Sequence, residues 1–177
     1  GQLTGRCLQL PGAGRIVADS KGFGVRGRQD ATVGLASPKA FRQFVEGGED
    51  CFQAVQNPRE AAGHRLALSV PPESLILEAD PVRLAQILTN LLNNAAKYTD
   101  DGGQIWLTVE HDASNAVISV RDTGMGIPAH MLPKVFDLFT QVDRDYSRAQ
   151  GGLGIGLTLV RSLVSMHGGS IEAKSAG

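Results

Sequence analysis

Cysteine is scarce: Cys7 and Cys51 are the two thiols among 177 residues, and neither stands at metal-ligand spacing or in a nucleophile motif. A disulfide scaffold is thereby excluded, and both are read as reduced thiols in a cytoplasmic protein. Charge of one sign is lacking too. The formal net charge is −1, so neither nucleic acid nor an anionic membrane surface is an expected partner. No apolar run approaches the ~18 residues that span a bilayer, and no secretory leader is visible. The histidines His64, His111, His130 and His167 form no ligand pair and are read as surface or packing residues. Neither a Gly-Lys-Ser/Thr phosphate loop nor a His-Arg-Asp kinase signature occurs. The length allows one ordinary domain with a substantial core. The chain begins at Gly1 rather than Met, and it is read as a piece of a longer protein.

Residues 1–60 differ from the remainder. Gly1, Gly5, Gly12, Gly14, Gly22, Gly24, Gly27 and Gly34 punctuate the opening without a repeat period. Apolar residues are scattered, with neither strand nor helix periodicity sustained. Residues 40–55 (AFRQFVEGGEDCFQAV) read at most as a helix broken at Gly47 and Gly48. This segment is left unassigned, as a linker or a stretch foreign to the natural fold, such as an upstream reading-frame error would produce.

From residue 61 the pattern sharpens. Residues 64–70 (HRLALSV) alternate as a strand, stopped by Pro71 and Pro72, and residues 75–77 form a second short one. Asp80 and Pro81 supply an N-cap and a first-turn proline. Over residues 80–99, Leu84, Ile87, Leu88, Leu91, Leu92 and Ala95 then fall on one helical face. Residues 104–110 and 116–121 read as an antiparallel hairpin, with Ile105, Leu107 and Val109 opposed to Trp106 and Thr108. Residues 129–139 suggest a short helix with Phe136 and Phe139 on one side, and residues 140–150 a mobile loop. A second amphipathic helix, 156–167, uses Leu157, Val160, Leu163 and Val164; a strand follows at 170–174. The order predicts an α/β (α+β) two-layer sandwich, in which a mixed, largely antiparallel sheet is covered on one face by helices.

Three places can carry chemistry. The polar face of the first helix holds Arg83, Gln86, Asn90, Asn94 and Lys97. Such a face is more often simply solvated, but amide oxygens suit Mg²⁺ and an ammonium suits phosphate. Asp122 ends a strand and precedes Thr-Gly-Met-Gly-Ile-Pro, so a carboxylate stands beside backbone that a flat ligand can approach. An Asx-type turn explains the same residues without a ligand. Residues 151–156 (GGLGIG) open a helix, where exposed amides attract phosphate.

Taken in order, NLLNNAAKYT, DTGMGIP, VFDLF and GGLGIGL resemble the N, G1, F and G2 boxes of the ATP-binding catalytic domain of bacterial sensor histidine kinases. The wording from FTQVDR to TLVRSLV is similar to that of hybrid sensor kinases. The resemblance covers residues 61–177. It implies that Asn94, helped by Asn90, holds Mg²⁺ against the triphosphate of ATP, and that Lys97 meets phosphate. Tyr98 would lie beside adenine, Asp122 would read its amino group, and Gly124, Gly126 and Ile127 would line the base. Phe136 and Phe139 would anchor the near end of a flexible lid over 140–150, Gly152, Gly154 and Gly156 beyond it would cradle phosphate, and Leu153 and Leu157 would bind the nucleotide with them. The implied partners are a dimerisation and phosphoacceptor domain, in a parent that is a homodimer, and a response-regulator receiver domain. No histidine here is followed by an acidic residue and then proline, as the family's phosphoacceptor is, and the chain stops before the family's closing strand. ATP hydrolases of the gyrase and mismatch-repair kind share the resemblance, but they carry a glutamate as water-activating base where this chain has Asn90. A non-catalytic nucleotide-binding module is the remaining alternative.

Overall fold

Asp80 is extended, and its side-chain oxygen accepts from the N–H groups of Val82 (2.8 Å) and Arg83 (3.2 Å). With Pro81 needing no intrahelical partner, this cap starts helix α1, Pro81–Tyr98. The computed structural model describes residues 4–11, 32–35, 63–72, 75–112, 115–140 and 154–176. Besides α1 these form β1 (Thr4–Pro11), β2 (Thr32–Leu35), β3 (Arg65–Ser69), β4 (Leu75–Glu78), β5 (Gln104–Asp112), β6 (Asn115–Asp122), a 3₁₀ turn (Leu132–Lys134), α2 (Gly156–Met166) and β7 (Ser170–Ser175).

The apolar stripe of α1 behaves as its spacing demands. Leu84, Ile87, Leu88, Leu91, Leu92, Ala95 and Ala96 are buried against Ile105, Leu107 and Val109 of β5 and Ala116, Ile118 and Val120 of β6. Val160, Leu163 and Val164 of α2 complete the same core. Burying each of the large side chains is worth about 1.5–3 kcal/mol, and truncating one to alanine costs about 2–5 kcal/mol. Both helices therefore lie on one face of the sheet. A smaller cluster of Ile127, Val135 and Phe136 packs with Met131, Leu132 and Leu157.

The main sheet runs β3-β5-β6-β1-β7. Strands β5 and β6 pair antiparallel from Ile105↔Asp122 to Asp112↔Asn115, as the hairpin pattern predicts. Strand β3 pairs parallel to β5, and the connection between them contains α1. Strand β1 lies antiparallel to both β6 and β7, with Thr4 opposite Asp122 on one side and Ser175 on the other. Strands β2 and β4 make a separate antiparallel pair. The sheet is mixed and largely antiparallel, as expected.

Two local expectations differ. Residues 129–139 form turns around a single 3₁₀ turn rather than a helix. Pro133 has no N–H to give to the Ala129 carbonyl, which bars a helix that starts at 129, and Phe139 at φ 62° leaves helical geometry at the other end. Within residues 1–60, where the pattern gives no element, the structure places β1 and β2. Strand β1 is held through its backbone on both edges, which apolar counting along the chain does not detect. The broken helix at 40–55 and the loop at 141–150 lie outside the described residues. Among the described residues no helix is long and apolar enough to cross a membrane.

Candidate functional site

The C-terminal end of α1 and the loop after β6 build one end of the site. Asp122, the last residue of β6, is buried at 4% exposure, and its Oδ1 accepts from Gly124 N–H at 2.9 Å. Met125 N–H donates to the Tyr98 carbonyl at 3.1 Å. Gly124 lies so close to that carbonyl that a Cβ on it would stand 2.3 Å from the Tyr98 oxygen. Only glycine lets the two backbones approach this far. Gly126 follows with φ 80°, and Ile127, buried, donates its N–H to Ser175 Oγ at 2.9 Å. The loop is thus clasped to the helix by main-chain contacts, with the Asp122 carboxylate at its root. A buried carboxylate needs donors, and a ligand amino group is a suitable one.

The other end joins the middle of α1 to the start of α2. Asn90 Nδ2 donates to the Gln86 carbonyl at 2.8 Å, which leaves its oxygen facing α2. That oxygen lies 3.1 Å from where a Cβ on Gly156 would be, and Asn94 Nδ2 lies 3.7 Å from the same point. Gly156 is the first residue of α2. Two amides one turn apart therefore meet a helix N-terminus, where unpaired N–H groups and the helix dipole favour an anion. Lys97, one turn further on, is exposed with its Nζ 5.2 Å from the centre of the Tyr98 ring. Tyr98 is itself 38% exposed.

Phe136 and Phe139 do not share a face. Phe136 is buried, whereas Phe139 is 73% exposed and takes φ 62°, a conformation costing a non-glycine residue about 1–2 kcal/mol. Phe139 N–H donates to the Gly154 carbonyl at 3.2 Å, and Gly154 has φ 68°. The chain on either side of residues 141–153 is tied together at that bond. Leu157 is half-buried and packs against both apolar clusters. Gly152 and Leu153 lie outside the described residues.

Among the described residues no three His, Cys, Asp or Glu side chains converge. The Asn90 oxygen at the start of α2, beside the Asn94 amide, suits a cation bound mainly through a substrate's phosphates, which is how Mg²⁺ is commonly held. The residues fit that ion and do not form an all-protein cage.

His64 and His167, which the sequence presents as surface or packing residues, both make specific bonds. His64 Nε2 meets the Thr99 carbonyl at 3.1 Å, next to the Tyr98 carbonyl that holds the loop. His167 accepts the Asp80 N–H at Nε2 (3.1 Å) and donates from Nδ1 to the Leu163 carbonyl (2.7 Å), linking the end of α2 to the start of α1. Thr99 and Asp80 lie 35 and 87 residues from their histidines, so no local pattern signals those bonds.

The family model described as histidine kinase-, DNA gyrase B- and HSP90-like ATPase matches residues 79–177, a span that holds every described residue of this site except His64. The circadian input-output histidine kinase CikA of Synechococcus elongatus is 44% identical over 100 residues, 56% of this chain and 13% of CikA. The catalytic domain of histidine kinase ThkA has a similar fold, with TM-score 0.60 and 20% identity over 81% of this chain and 95% of that one. Full-length ShkA, solved in complex with AMPPNP, matches with TM-score 0.53 and 26% identity, over 85% of this chain and 27% of that one. The chain spans less than half the length of the curated relatives it matches. With a mixed sheet, two helices on one face and the four boxes in order, the chain belongs to the histidine kinase-, DNA gyrase B- and HSP90-like ATPase family.

Proposed function

We propose that residues 61–177 bind Mg-ATP and donate its γ-phosphoryl group to a histidine on a separate dimerisation and phosphoacceptor domain, from which a response-regulator aspartate takes it. The observation that carries this reading is the meeting of Asn90 and Asn94 with Gly156 at the N-terminus of α2. Asp122 would accept a hydrogen bond from the adenine amino group, with Gly124, Gly126 and Ile127 along the base and Tyr98 beside it. Lys97 and the amides near Gly154 and Gly156 would meet the phosphates. Gly152, Leu153 and Leu157 would complete the enclosure, with Phe136 and Phe139 at its margin. Mg²⁺ would be held by Asn90 and Asn94 and would supply charge neutralisation on the phosphates.

Phosphoryl transfer asks the protein mainly for position and charge compensation. The bond from the γ-phosphorus to the oxygen of ADP breaks, a phosphorus–nitrogen bond to the imidazole forms, and ADP leaves. The nucleophile comes from another domain or the other protomer of a dimeric parent. Asn90 cannot take a proton from water, which speaks against a hydrolase of the gyrase kind. Support also comes from ShkA, a relative solved with an ATP analogue.

Isothermal titration with AMP-PNP, with and without Mg²⁺, tests the reading. Mg²⁺-dependent binding is expected, lost in Asn94→Ala and in Asp122→Ala. A folded wild-type chain that binds nothing overturns it. Given γ-labelled ATP, the chain alone should retain no alkali-stable phosphate, and an added phosphoacceptor domain of a related kinase should become labelled.

A further inference from the structure

We infer that His64 is a positioning residue for the base end of the nucleotide site, which rests on the ATP reading above. His64 immediately precedes β3, whose first residue, Arg65, gives its N–H to the Gly103 carbonyl at 2.9 Å. Its Nε2 lies 3.1 Å from the Thr99 carbonyl, which can only accept, so Nε2 carries the proton and donates. Its Nδ1 is buried and has no partner among the described residues. The ring therefore makes one directed bond, and that bond falls on the residue that ends α1.

Thr99 is the C-cap of α1, extended at φ −97° and ψ 135°, and buried at 6% exposure. The bend sends two successive carbonyls to different partners. Tyr98 O accepts from Met125 N–H, and Thr99 O accepts from His64. One fixes the loop that carries Asp122 and Gly124, and the other fixes the helix end from the opposite side. Lose the second, and a buried carbonyl is left without its donor, with the helix end free to move in search of one. Because Gly124 touches the Tyr98 oxygen with no space to spare, such a shift passes directly to the loop. A carboxylate facing an exocyclic amine prefers adenine to guanine, which presents an oxygen there. His64 thus bears on base discrimination without touching the base.

The test compares His64→Phe, which keeps a ring but has no donor, with His64→Gln, whose amide can reach the same carbonyl. AMP-PNP and GMP-PNP affinities are measured below each variant's melting transition. Hydrogen exchange is followed at Met125 and at Leu107 and Ile118 in the β5–β6 core. In the Phe variant we expect AMP-PNP to weaken by about tenfold while GMP-PNP changes by less than about threefold, a loss of discrimination and not of folding. Met125 should lose protection while Leu107 and Ile118 keep theirs, and Gln should restore both readouts. Unchanged discrimination with unchanged Met125 protection overturns the inference, as does equal weakening of both nucleotides with uniform loss of protection. If the wild-type chain binds neither analogue, the role in binding falls with the ATP reading, and Met125 protection alone decides whether the link through Thr99 exists. Should the Phe variant not fold, a Gln variant that loses discrimination overturns the inference, and one that keeps it supports the donor role together with wild-type Met125 protection.

Discussion

The two ends of the site are built differently. At the end proposed for the base the backbone does the holding: Met125 on the Tyr98 carbonyl, Gly124 against the same oxygen, and Asp122 buried at the root of the loop. At the end proposed for the phosphates side chains and a helix start provide the groups: Lys97 and Phe139 are exposed, and Asn90 turns its oxygen toward Gly156. The first is set before any ligand arrives. The second is an array of donors and acceptors that a charged ligand with its cation would complete. On the proposed reading, the preset end would take a flat base and the adaptable end a phosphate chain, a division that would suit transfer chemistry because the γ-phosphate must leave and the base need not.

This contrast can be broken at either end. The largest effect is expected at Gly124→Ala, because a methyl placed 2.3 Å from the Tyr98 oxygen forces helix and loop apart. We expect about 2–3 kcal/mol lost, with AMP-PNP binding weakened at least tenfold. Thermal unfolding and titration check both; a wild-type-like Gly124→Ala would mean that the clasp is looser than its geometry. At the other end, Gly154→Ala must bear φ 68° with its Cβ 3.1 Å from Phe139 backbone atoms. About 1 kcal/mol of strain is expected, with AMP-PNP binding weakened and adenosine binding kept. Equal losses for both ligands would erase the distinction between the ends. Lys97→Met should do least, about threefold or less, since an exposed ammonium acts through water and salt screens it. Repeating that titration at higher salt should shrink the difference further.

Much of the scaffold is legible along the chain, because its elements are local and periodic. The stripe of α1 from Leu84 to Ala95, the hairpin alternation from Ile105 to Val120 and the core face of α2 follow from spacing and burial alone. Site residues carried on those elements come with them, as Asn90, Asn94 and Asp122 do. What escapes the sequence is set by distance or by a single atom. Strand β1 enters the sheet through partners at the far end of the chain. Phe136 and Phe139 have helical spacing, but the 3₁₀ turn ends at Lys134 and Phe139 takes φ 62°, so no helix aligns them. His64 and His167 look alike in the sequence, and only their carbonyl and amide partners give them meaning.

The parallel pairing of β3 with β5 bears on the order of assembly. Parallel neighbours cannot close as a hairpin, and the chain between them has to cross. Here that crossing contains α1, the helix that bears the amides and ends at Thr99. The β5–β6 hairpin can form from neighbouring residues, whereas β3 reaches β5 only by closing the longer connection that contains α1. His64 sits one residue ahead of β3 and so arrives with it. Seating β3 and bringing His64 to Thr99 are therefore one event, and the C-terminal end of α1 is set when that part of the sheet is.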